Sequence, residues 1–298
     1  MEQGRKRTQP TAHDIEGLLH EVIEEFGSPT PLRFRSGFEV LDISRVLQPG
    51  RLITLAAASG SGKTSFCTKL ATCLARSGAE VTFLSLEMSA KEMVKRMFCI
   101  DNGFDQLMAE KKGLTDFQKG ISKHYLEEIQ PTLDHIDIID DFGLTDEEMF
   151  RLVDEIYTKP MDFVIIDHIQ HILSTANKSE REQINDYLLV MKECARKHNV
   201  CFIILSQLND DGVLKSSRKI NEISDAVVYL ELDKEKVCEN NGFANLAKNR
   251  YGPTDKFPMY FDLPTMNWVN SYREYEIHNS GRRRLLESQI QKPQQTLI

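Results

Sequence analysis

The sequence has few of the features that mark secreted, disulfide-bonded or membrane proteins. Its 298 residues include six cysteines with no C-x-x-C pair, so we expect neither a disulfide framework nor a structural zinc site. No apolar run approaches the roughly 18 to 20 residues that a membrane span requires. The first residues are polar and lack the apolar segment of a secretory signal, which predicts an intracellular protein without a membrane partner.

Positive charge is also scarce in this chain. Lysine and arginine number 37 against 45 aspartates and glutamates, which gives a net charge of -8. This balance argues against a protein coated in positive charge, as one that wraps a DNA duplex would be. A ring that threads a single strand needs basic residues only along its channel, so local charge is more informative than the total.

Between about residues 36 and 270, short apolar runs rich in β-branched residues alternate with longer amphipathic stretches. The apolar runs lie at 52–57, 81–86, 136–139, 163–166, 200–205 and 226–230. Near-continuous apolar strands separated by helices predict an α/β fold, with a mostly parallel sheet covered by helices on both faces. Residues 243–269 predict a C-terminal antiparallel hairpin, with Gly252 and Pro253 near its turn.

Three regions are predicted along the chain. Residues 1–35 form a disordered tail and an amphipathic helix, residues 36–272 form the main domain, and residues 273–298 form a basic C-terminal tail. In the helix, apolar residues recur at helical spacing from Ile15 to Phe26, and Thr11 with Asp14 suits a capping box. The apolar stripe of this helix either folds back on its own domain or packs on a neighbouring subunit of a ring.

A phosphate-binding loop follows the run at 52–57. Residues 57–64 read AASGSGKT and lead into an amphipathic stretch, which is the context that a Walker A loop requires. Backbone N–H groups of such a loop curl round a phosphate chain at the positive end of the helix. Lys63 is expected to contact the β- and γ-phosphates, and Thr64 to hold Mg²⁺. The predicted ATP-binding residues are Ala58, Ser59, Gly60, Ser61, Gly62, Lys63, Thr64, Ser65 and Asp167.

Three polar residues close other predicted strands. Asp167 ends the run at 163–166, where a carboxylate is well placed for Mg²⁺ beside the phosphate loop. Glu87 ends the run at 81–86 and can polarise the attacking water, although on its own it also suits the start of a helix. Gln207 closes the run at 200–205, where its amide can contact the γ-phosphate or the water.

Two basic segments are candidates for other roles. Lys215, Arg218 and Lys219 lie in a loop after Gln207, where they either contact single-stranded nucleic acid or form ordinary solvated surface. A segment further along the chain, at 248–250, is remote from its own phosphate loop in a parallel sheet. Its cations are either surface charges or act on the nucleotide of an adjacent subunit.

Two histidines and the single tryptophan have no assigned chemistry. His168 and His171 flank Ile169-Gln170 without a Cys or Glu-x-x-His partner, so we interpret them as polar residues under a loop rather than metal ligands. Trp268 is expected to pack at the end of the hairpin.

Taken in order over about residues 36–270, these segments resemble the DnaB-type hexameric replicative helicases, including the helicase half of the phage primase-helicases. The segments that carry the resemblance, besides the phosphate loop, are LSLEMS at 84–89, IIDHIQ at 165–170, LSQLN at 205–209 and AKNRYGPT at 247–254. His168 stands where that family usually has an aromatic residue.

The resemblance implies a RecA-like ATPase core and a role for several residues. By it, Glu87 is the catalytic base, Gln207 the γ-phosphate sensor, and Arg250 an arginine finger that acts in trans with Lys248 beside it. Residues 209–224 would be the loop that grips the strand. The implied assembly is a homo-oligomeric ring of six subunits.

The expected function is therefore an ATP- and Mg²⁺-dependent helicase or translocase that acts on single-stranded DNA in replication, with a primase or a loader as a further partner. A different interpretation is a RecA-like ATPase that serves as a regulatory or recombination-accessory protein without unwinding. A small-molecule kinase is a third option, disfavoured because no acceptor pocket is evident and because the Arg250 segment suggests action in trans.

Overall fold

The computed structural model describes residues 14–28, 31–155, 160–173, 179–208, 218–233, 235–236 and 239–277. The chain divides into two units, residues 1–33 and residues 34–298. In the first unit, helix α1 spans Ile15–Gly27, and its N-cap is Asp14, whose side chain accepts a hydrogen bond from the Glu16 N–H. The helix therefore begins after the proposed capping box, whose Thr11 lies outside the described residues.

The second unit carries the remaining helices and all the strands that are described. Its helices are α2 (Glu39–Ile43), α3 (Lys63–Arg76), α4 (Ala90–Asn102), α5 (Gln106–Lys112), α6 (Asp116–Leu133), α7 (Asp146–Glu155), α8 (Glu180–His198) and α9 (Arg218–Ile223). Its strands are β1 (Leu52–Ala57), β2 (Val81–Ser85), β3 (Ile136–Asp140), β4 (Phe163–Asp167), β5 (Cys201–Gln207), β6 (Ala226–Leu232), β7 (Gly242–Asn249), β8 (Asp255–Asp262) and β9 (Asn267–Val269).

The strands form one sheet in the order β3-β2-β4-β5-β1-β6-β7-β8-β9. Strands β1 to β6 are parallel to their neighbours within this set, whereas β7, β8 and β9 extend the sheet in antiparallel fashion. The predicted α/β class, the mostly parallel sheet and the antiparallel hairpin are confirmed. The hairpin carries one further short strand, β9, which pairs with β8.

Successive residues of each strand point to opposite faces of the sheet, and each face is covered by its own hydrophobic cluster. In β1, Ile53 and Leu55 belong to one hydrophobic cluster, which includes Phe66 and Leu70 of α3. Leu52 belongs to a second cluster on the other face, which includes residues of α7 and α8. Burial on both faces explains why the parallel strands read as continuous apolar runs.

Capping residues fix where several helices begin. The side chain of each cap accepts a hydrogen bond from the third helical N–H, and a Glu or Gln at that position bonds back to the cap. Such boxes begin α4, α6 and α8 at Ser89 with Glu92, Thr115 with Gln118, and Ser179 with Glu182. Because α4 starts so soon after β2, the segment 86–89 between them is short and stays close to the end of that strand.

The six parallel strands, β1 to β6, end at the same edge of the sheet, and four of them carry residues considered for the site. Ser85 of β2 is in register with Asp167 of β4, and Ala57 of β1 is in register with Gln207 of β5. We call this the carboxyl edge. Parallel sheets bind ligands at this edge, so the strand alignment selects the residues that can form a site.

Asp225 links three parts of the opposite edge. It is fully buried, and its carboxylate accepts hydrogen bonds from the Leu52 N–H, at 2.9 Å, and from the Lys192 ammonium group of α8. The Arg250 guanidinium lies 3.5 Å from the other carboxylate oxygen. Burial lowers the pKa of Lys192, and the contact with Asp225 opposes that change. Asp225 therefore holds the start of β1, helix α8 and the end of β7 together.

The division of the chain at residues 35/36 and 272/273 stays a prediction, and residues 278–298 of the predicted basic tail lie outside the described residues. Within the described residues, no helix combines the length and the apolar character that crossing a membrane requires.

We predict that Asp225→Asn lowers the free energy of unfolding by about 3 kcal/mol, because removing one partner of a buried ion pair leaves the other charge uncompensated. Urea-induced unfolding followed by circular dichroism measures the change. Asp137→Asn on the edge strand β3 is the matched control, since Asp137 is exposed and its substitution should alter stability by less than about 0.5 kcal/mol. Equal effects of the two substitutions would contradict the assigned role of Asp225.

Candidate functional site

The loop between β1 and α3 has the backbone of an anion-binding turn. Gly60 and Gly62 adopt φ angles of +68° and +76°, in the left-handed region that favours glycine. Gly62 is the N-cap of α3, so the free N–H groups of the first helical turn face the loop. A Cβ atom at Gly62 would lie 2.8 Å from atoms of both Phe261 and Trp268. Glycine is therefore required there on both conformational and steric grounds.

Trp268 supports this loop from the interior. Its side chain is fully buried on β9, and its indole N–H donates a hydrogen bond to the Gly62 carbonyl at 3.2 Å. Its ring also packs on Phe261, with ring centroids 4.9 Å apart. The tryptophan does lie at the end of the antiparallel strands, as expected, but its contact with the phosphate loop is a feature that the sequence did not reveal.

Lys63 lies over the loop. Its ammonium group donates hydrogen bonds to the Ala57 and Ala58 carbonyls, at 3.1 and 3.3 Å. Burial lowers the pKa of Lys63, and the nearby carboxylates of Asp167 and Glu87 oppose that change. The lysine charge is thus held near the loop by two carbonyl groups and faces the acidic residues of the carboxyl edge.

Asp167 is a buried carboxylate with few donors. Only 1% of the residue is exposed, and neither carboxylate oxygen accepts a hydrogen bond of normal geometry from a described residue. Burial raises the pKa of Asp167 to about 6, whereas the nearby Thr64 hydroxyl, Lys63 and Arg96 favour its charged form. A desolvated carboxylate beside a threonine hydroxyl fits a Mg²⁺ ion, which prefers such oxygen ligands.

Glu87 lies next to this carboxylate but is open to solvent. It follows β2, whose neighbour is β4, so it lies beside the end of the strand that carries Asp167, and its negative charge raises the pKa of both Asp167 and Lys63. The Glu87 carboxylate is 56% exposed and lies 3.7 Å from the imidazole Nε2 of His168. An exposed carboxylate beside a phosphate loop can accept a proton from water.

Gln207 completes the set at the carboxyl edge. It ends β5 beside Ala57, and the next residue, Leu208, donates its N–H to the Ala57 carbonyl at 3.1 Å. The neighbouring Ser206 hydroxyl accepts a hydrogen bond from the Gln170 amide at 3.1 Å. The structure therefore brings the predicted Lys63, Thr64, Glu87, Asp167 and Gln207 to one edge.

Arg96 is a further charged residue near the carboxyl edge, one that was not among the predicted site residues. It lies on α4, partly buried, and burial lowers its pKa while Asp167 and Glu87 oppose that change. The available signal was its position on the helix, because Met93 and Ile100 are both buried and lie three and four residues away. An arginine on the apolar face of a helix that begins beside a predicted catalytic glutamate was a candidate for the site.

The interpretation of His168 and His171 as polar residues rather than metal ligands stays a prediction, but the structure places a third side chain of ligand type beside them. Glu87 supplies a third group, and one ligand atom from each of the three residues lies within 4.8 Å of the other two. The sequence signal was hidden because Glu87 lies 81 positions before His168 and reaches it only through the pairing of β2 with β4.

Lys248 and Arg250 lie at the opposite edge, away from the phosphate loop of their own chain. Arg250 follows the end of β7, and Asn249 is in register with Ala226 at the start of β6. Strand β1 is six residues long, so at about 3.3 Å per residue it separates the two edges by roughly 16 Å. Lys248 donates hydrogen bonds to the Asn221 and Glu222 carbonyls of α9, the latter at 3.2 Å.

The predicted nucleic-acid residues are described only in part. Lys215 lies outside the described residues, and Arg218 begins α9 with a side chain that is also outside them. Lys219 is exposed on α9, immediately before the buried Ile220.

The chain matches a known family over most of its length. A family model described as the DnaB-like helicase C-terminal domain matches residues 34–270. The replicative DNA helicase DnaB of Geobacillus stearothermophilus is 26% identical over 287 residues, which covers 89% of this chain and 61% of that protein. The DNA repair protein RadA of Streptococcus pyogenes serotype M6 is 24% identical over 233 residues, or 76% of this chain and 43% of that protein. This chain thus spans less than two thirds of either relative.

Solved structures show the same fold. An ATPase domain solved by itself superposes with a TM-score of 0.75 at 24% identity, covering 87% of this chain and 99% of that one. A DnaB-like replicative helicase, solved in a study of its interactions with primase, gives a TM-score of 0.73 at 23% identity and covers 87% of this chain and 67% of that one. The predicted RecA-like core is confirmed by these likenesses.

The burial of Asp167 leads to a prediction of how the stability of the protein depends on pH. A pKa near 6 lies about two pH units above that of an exposed aspartate, so ionised Asp167 destabilises the native state by about 3 kcal/mol. Because the native state binds this proton more tightly than the unfolded state, the stability that the proton contributes is lost as pH rises from about 4 to 6. Asp167→Asn should therefore stabilise the metal-free, nucleotide-free protein by about 3 kcal/mol at pH 7, and by almost nothing near pH 4.

Urea unfolding in EDTA across this pH range measures the difference. Asp262→Asn is the matched control, since Asp262 is also buried but accepts hydrogen bonds from the Thr265 N–H and hydroxyl, at 3.2 and 2.5 Å. It should give no gain at any pH. A pH-independent effect of Asp167→Asn would contradict the inferred cost of the Asp167 charge.

Proposed function

Because this chain belongs to the family of DnaB-like helicase C-terminal domains, we propose that it is an ATP-driven DNA helicase of replication that works as a ring. The observation that carries the proposal is the meeting of a phosphate loop, a buried carboxylate, an exposed carboxylate and a glutamine at one edge of a parallel sheet. The cation that could complete this site lies at the other edge of the same chain.

ATP is held by the phosphate loop from Ala58 to Ser65. Backbone N–H groups and the start of α3 bind the phosphate oxygens, and Lys63 exchanges its carbonyl partners for the β- and γ-phosphates. Thr64 and Asp167 would hold Mg²⁺, which would neutralise phosphate charge there. A bound cation would also offset the cost of the buried Asp167 charge, so the site suits a nucleotide–metal complex.

Hydrolysis is assigned to the residues of the carboxyl edge. Glu87 accepts a proton from the attacking water, and Gln207 contacts the γ-phosphate and links its loss to the segment that follows β5. Arg96 is a positioning residue, because its positive charge acts on the carboxylates of Asp167 and Glu87 and partly offsets their negative charge.

Arg250 acts on the nucleotide of a neighbouring subunit as an arginine finger, with Lys248 beside it. The distance from the phosphate loop of its own chain supports action in trans, as does the exposed fraction of its side chain, 43%. Such a finger requires a homo-oligomer, for which we propose a closed ring of six subunits.

Single-stranded DNA is bound by the segment after Gln207, through Lys215, Arg218 and Lys219. The carbonyls at the end of α9 are bound by Lys248, so this helix links the strand-binding segment to the finger. A primase or a loader is a further proposed partner. The DnaB-like replicative helicase with a similar fold was studied together with its interactions with primase, which supports this proposal.

A second candidate function is a RecA-like ATPase that aids DNA repair or recombination without unwinding. The likeness to RadA, which is named as a DNA repair protein, is the observation that favours it. Both functions use the same ATPase site, so an unwinding measurement on a forked duplex separates them.

We predict that single-stranded DNA stimulates ATP hydrolysis and that the protein separates a forked duplex.

Glu87→Gln should lower turnover by about 100-fold or more while nucleotide binding is retained, because only the proton acceptor is lost. A coupled ATPase assay and a fluorescent fork assay measure the two activities. Glu80→Gln is the matched control, since Glu80 precedes the same strand at its other end and pairs with His135 at 2.7 Å. ATPase activity without fork separation would favour the accessory function.

We predict that Arg250→Ala lowers turnover by about 10³-fold with little change in nucleotide affinity, because the finger stabilises the transition state. Arg76→Ala is the control, since Arg76 is similarly exposed, at 41%, and also pairs with an aspartate, Asp101, at 2.7 Å.

Mixed rings test whether the finger acts in trans. Subunits with Arg250→Ala retain an intact phosphate loop, and subunits with Lys63→Ala retain an intact finger. Combining them should restore part of the ATPase activity at the mixed interfaces. If a verified mixed ring recovers no activity, action in trans is wrong.

A further inference from the structure

His168 and His171 lie one turn apart on a 3₁₀ segment, Ile169–His171, that directly follows β4. The His171 N–H donates to the His168 carbonyl at 3.0 Å, which closes the turn. Side chains three residues apart are eclipsed in such a turn, because it has three residues per turn. The two imidazole rings accordingly lie with their centroids 4.1 Å apart.

Glu87 reaches the same place from the neighbouring strand. The Leu86 N–H donates to the Asp167 carbonyl at 2.7 Å, which continues the pairing of β2 with β4 one residue past the end of β2. The Glu87 carboxylate then lies 3.7 Å from His168 Nε2, and the three ligand atoms are mutually within 4.8 Å. No other group of three such side chains is found among the described residues.

We propose that Glu87, His168 and His171 form a binding site for a nitrogen-preferring divalent cation, for which Zn²⁺ is the probe. Two imidazoles and one carboxylate are ligands that Zn²⁺ takes at about 2.0 to 2.2 Å. Mg²⁺ prefers a set of oxygen ligands, so this site differs in chemistry from that of Thr64 and Asp167.

The side chains of the cluster can move to bind a metal ion, and solvent can reach it. Ligand atoms of a tetrahedral zinc ion lie roughly 3.3 Å apart, so the cluster must contract slightly. Glu87 and His171 are exposed and can rotate towards the buried His168. Solvent reaches the exposed side, which leaves at least one coordination position for water.

Cation binding would act on hydrolysis, a consequence that rests on the proposed role of Glu87 as catalytic base. A carboxylate that donates a lone pair to Zn²⁺ is a poor proton acceptor, and the added positive charge opposes protonation further. The phosphate loop contributes no ligand to the cluster. We therefore expect Zn²⁺ to inhibit turnover without displacing the nucleotide.

The competing explanation is a simple ion pair between His168 and Glu87. The chain contains a natural comparison, since His124 and Glu127 on α6 lie 3.8 Å apart without a third ligand in the described residues. An ion pair of that kind should not retain a metal. Binding that depends on His171, which is outside the His168–Glu87 pair, distinguishes the two explanations.

Cobalt and zinc titrations of the full chain in excess Mg²⁺ test the site directly, without nucleotide. We expect one equivalent of Co²⁺ to give a visible ligand-field band, without the intense near-ultraviolet band of cobalt bound to thiolate, and to be displaced by Zn²⁺. His171→Phe and His168→Phe keep an aromatic ring but remove the ligand atoms. Each should weaken binding by at least about 10-fold, the loss typical of even an indirect metal partner. His124→Phe should leave the affinity unchanged.

The proposal is overturned if the wild-type chain binds no Co²⁺ in excess Mg²⁺, if a thiolate band accompanies binding, or if His171→Phe retains wild-type affinity. Inhibition of the ATPase by Zn²⁺ is measured separately, with each variant compared with its own rate in chelator. A chain that binds Co²⁺ as expected but hydrolyses no ATP would refute the proposed function and leave the metal site standing.

Discussion

The alignment of four parallel strands at one edge of the sheet is the constraint on which the rest of the site depends. Because Ser85 is in register with Asp167, and Ala57 with Gln207, four segments distant in sequence end side by side. A slip of one residue in β4 would turn Asp167 to the other face of the sheet, away from the phosphate loop. The same slip would exchange the apolar side chains of β4 between the two hydrophobic clusters, since Phe163 and Ile165 belong to one and Val164 and Ile166 to the other.

The antiparallel strands serve both edges of the sheet. Strand β9 brings Trp268 under the phosphate loop, where it hydrogen bonds with Gly62, while β7 runs antiparallel to β6 and carries Arg250 to the opposite edge. A chain built in this way supports its own nucleotide site from below but cannot reach it with that arginine. Completion of the site by a neighbouring copy is therefore a geometric consequence of the proposed role of Arg250.

Charge at the carboxyl edge is arranged for ligands rather than for stability. Asp167 is buried beside Thr64, and Lys63 and Arg96 only partly offset the cost of its charge. Glu87 lies next to it but keeps contact with solvent and with His168. One strand end thus presents an oxygen site suited to Mg²⁺, and the adjoining turn presents the mixed nitrogen and oxygen cluster.

The sequence by itself determined the strands, the phosphate loop and the polar residues that close the strands, because each depends on a local signal. Apolar runs predict buried strands, and a polar residue at the end of such a run predicts the carboxyl edge. Which strands are neighbours was decided only by the packing of helices on the sheet. For that reason the approach of Glu87 to His168, the contact of Trp268 with Gly62 and the links made by Asp225 could not be inferred from spacing. Each joins groups that are far apart in the chain, and their proximity exists only when the whole sheet has formed.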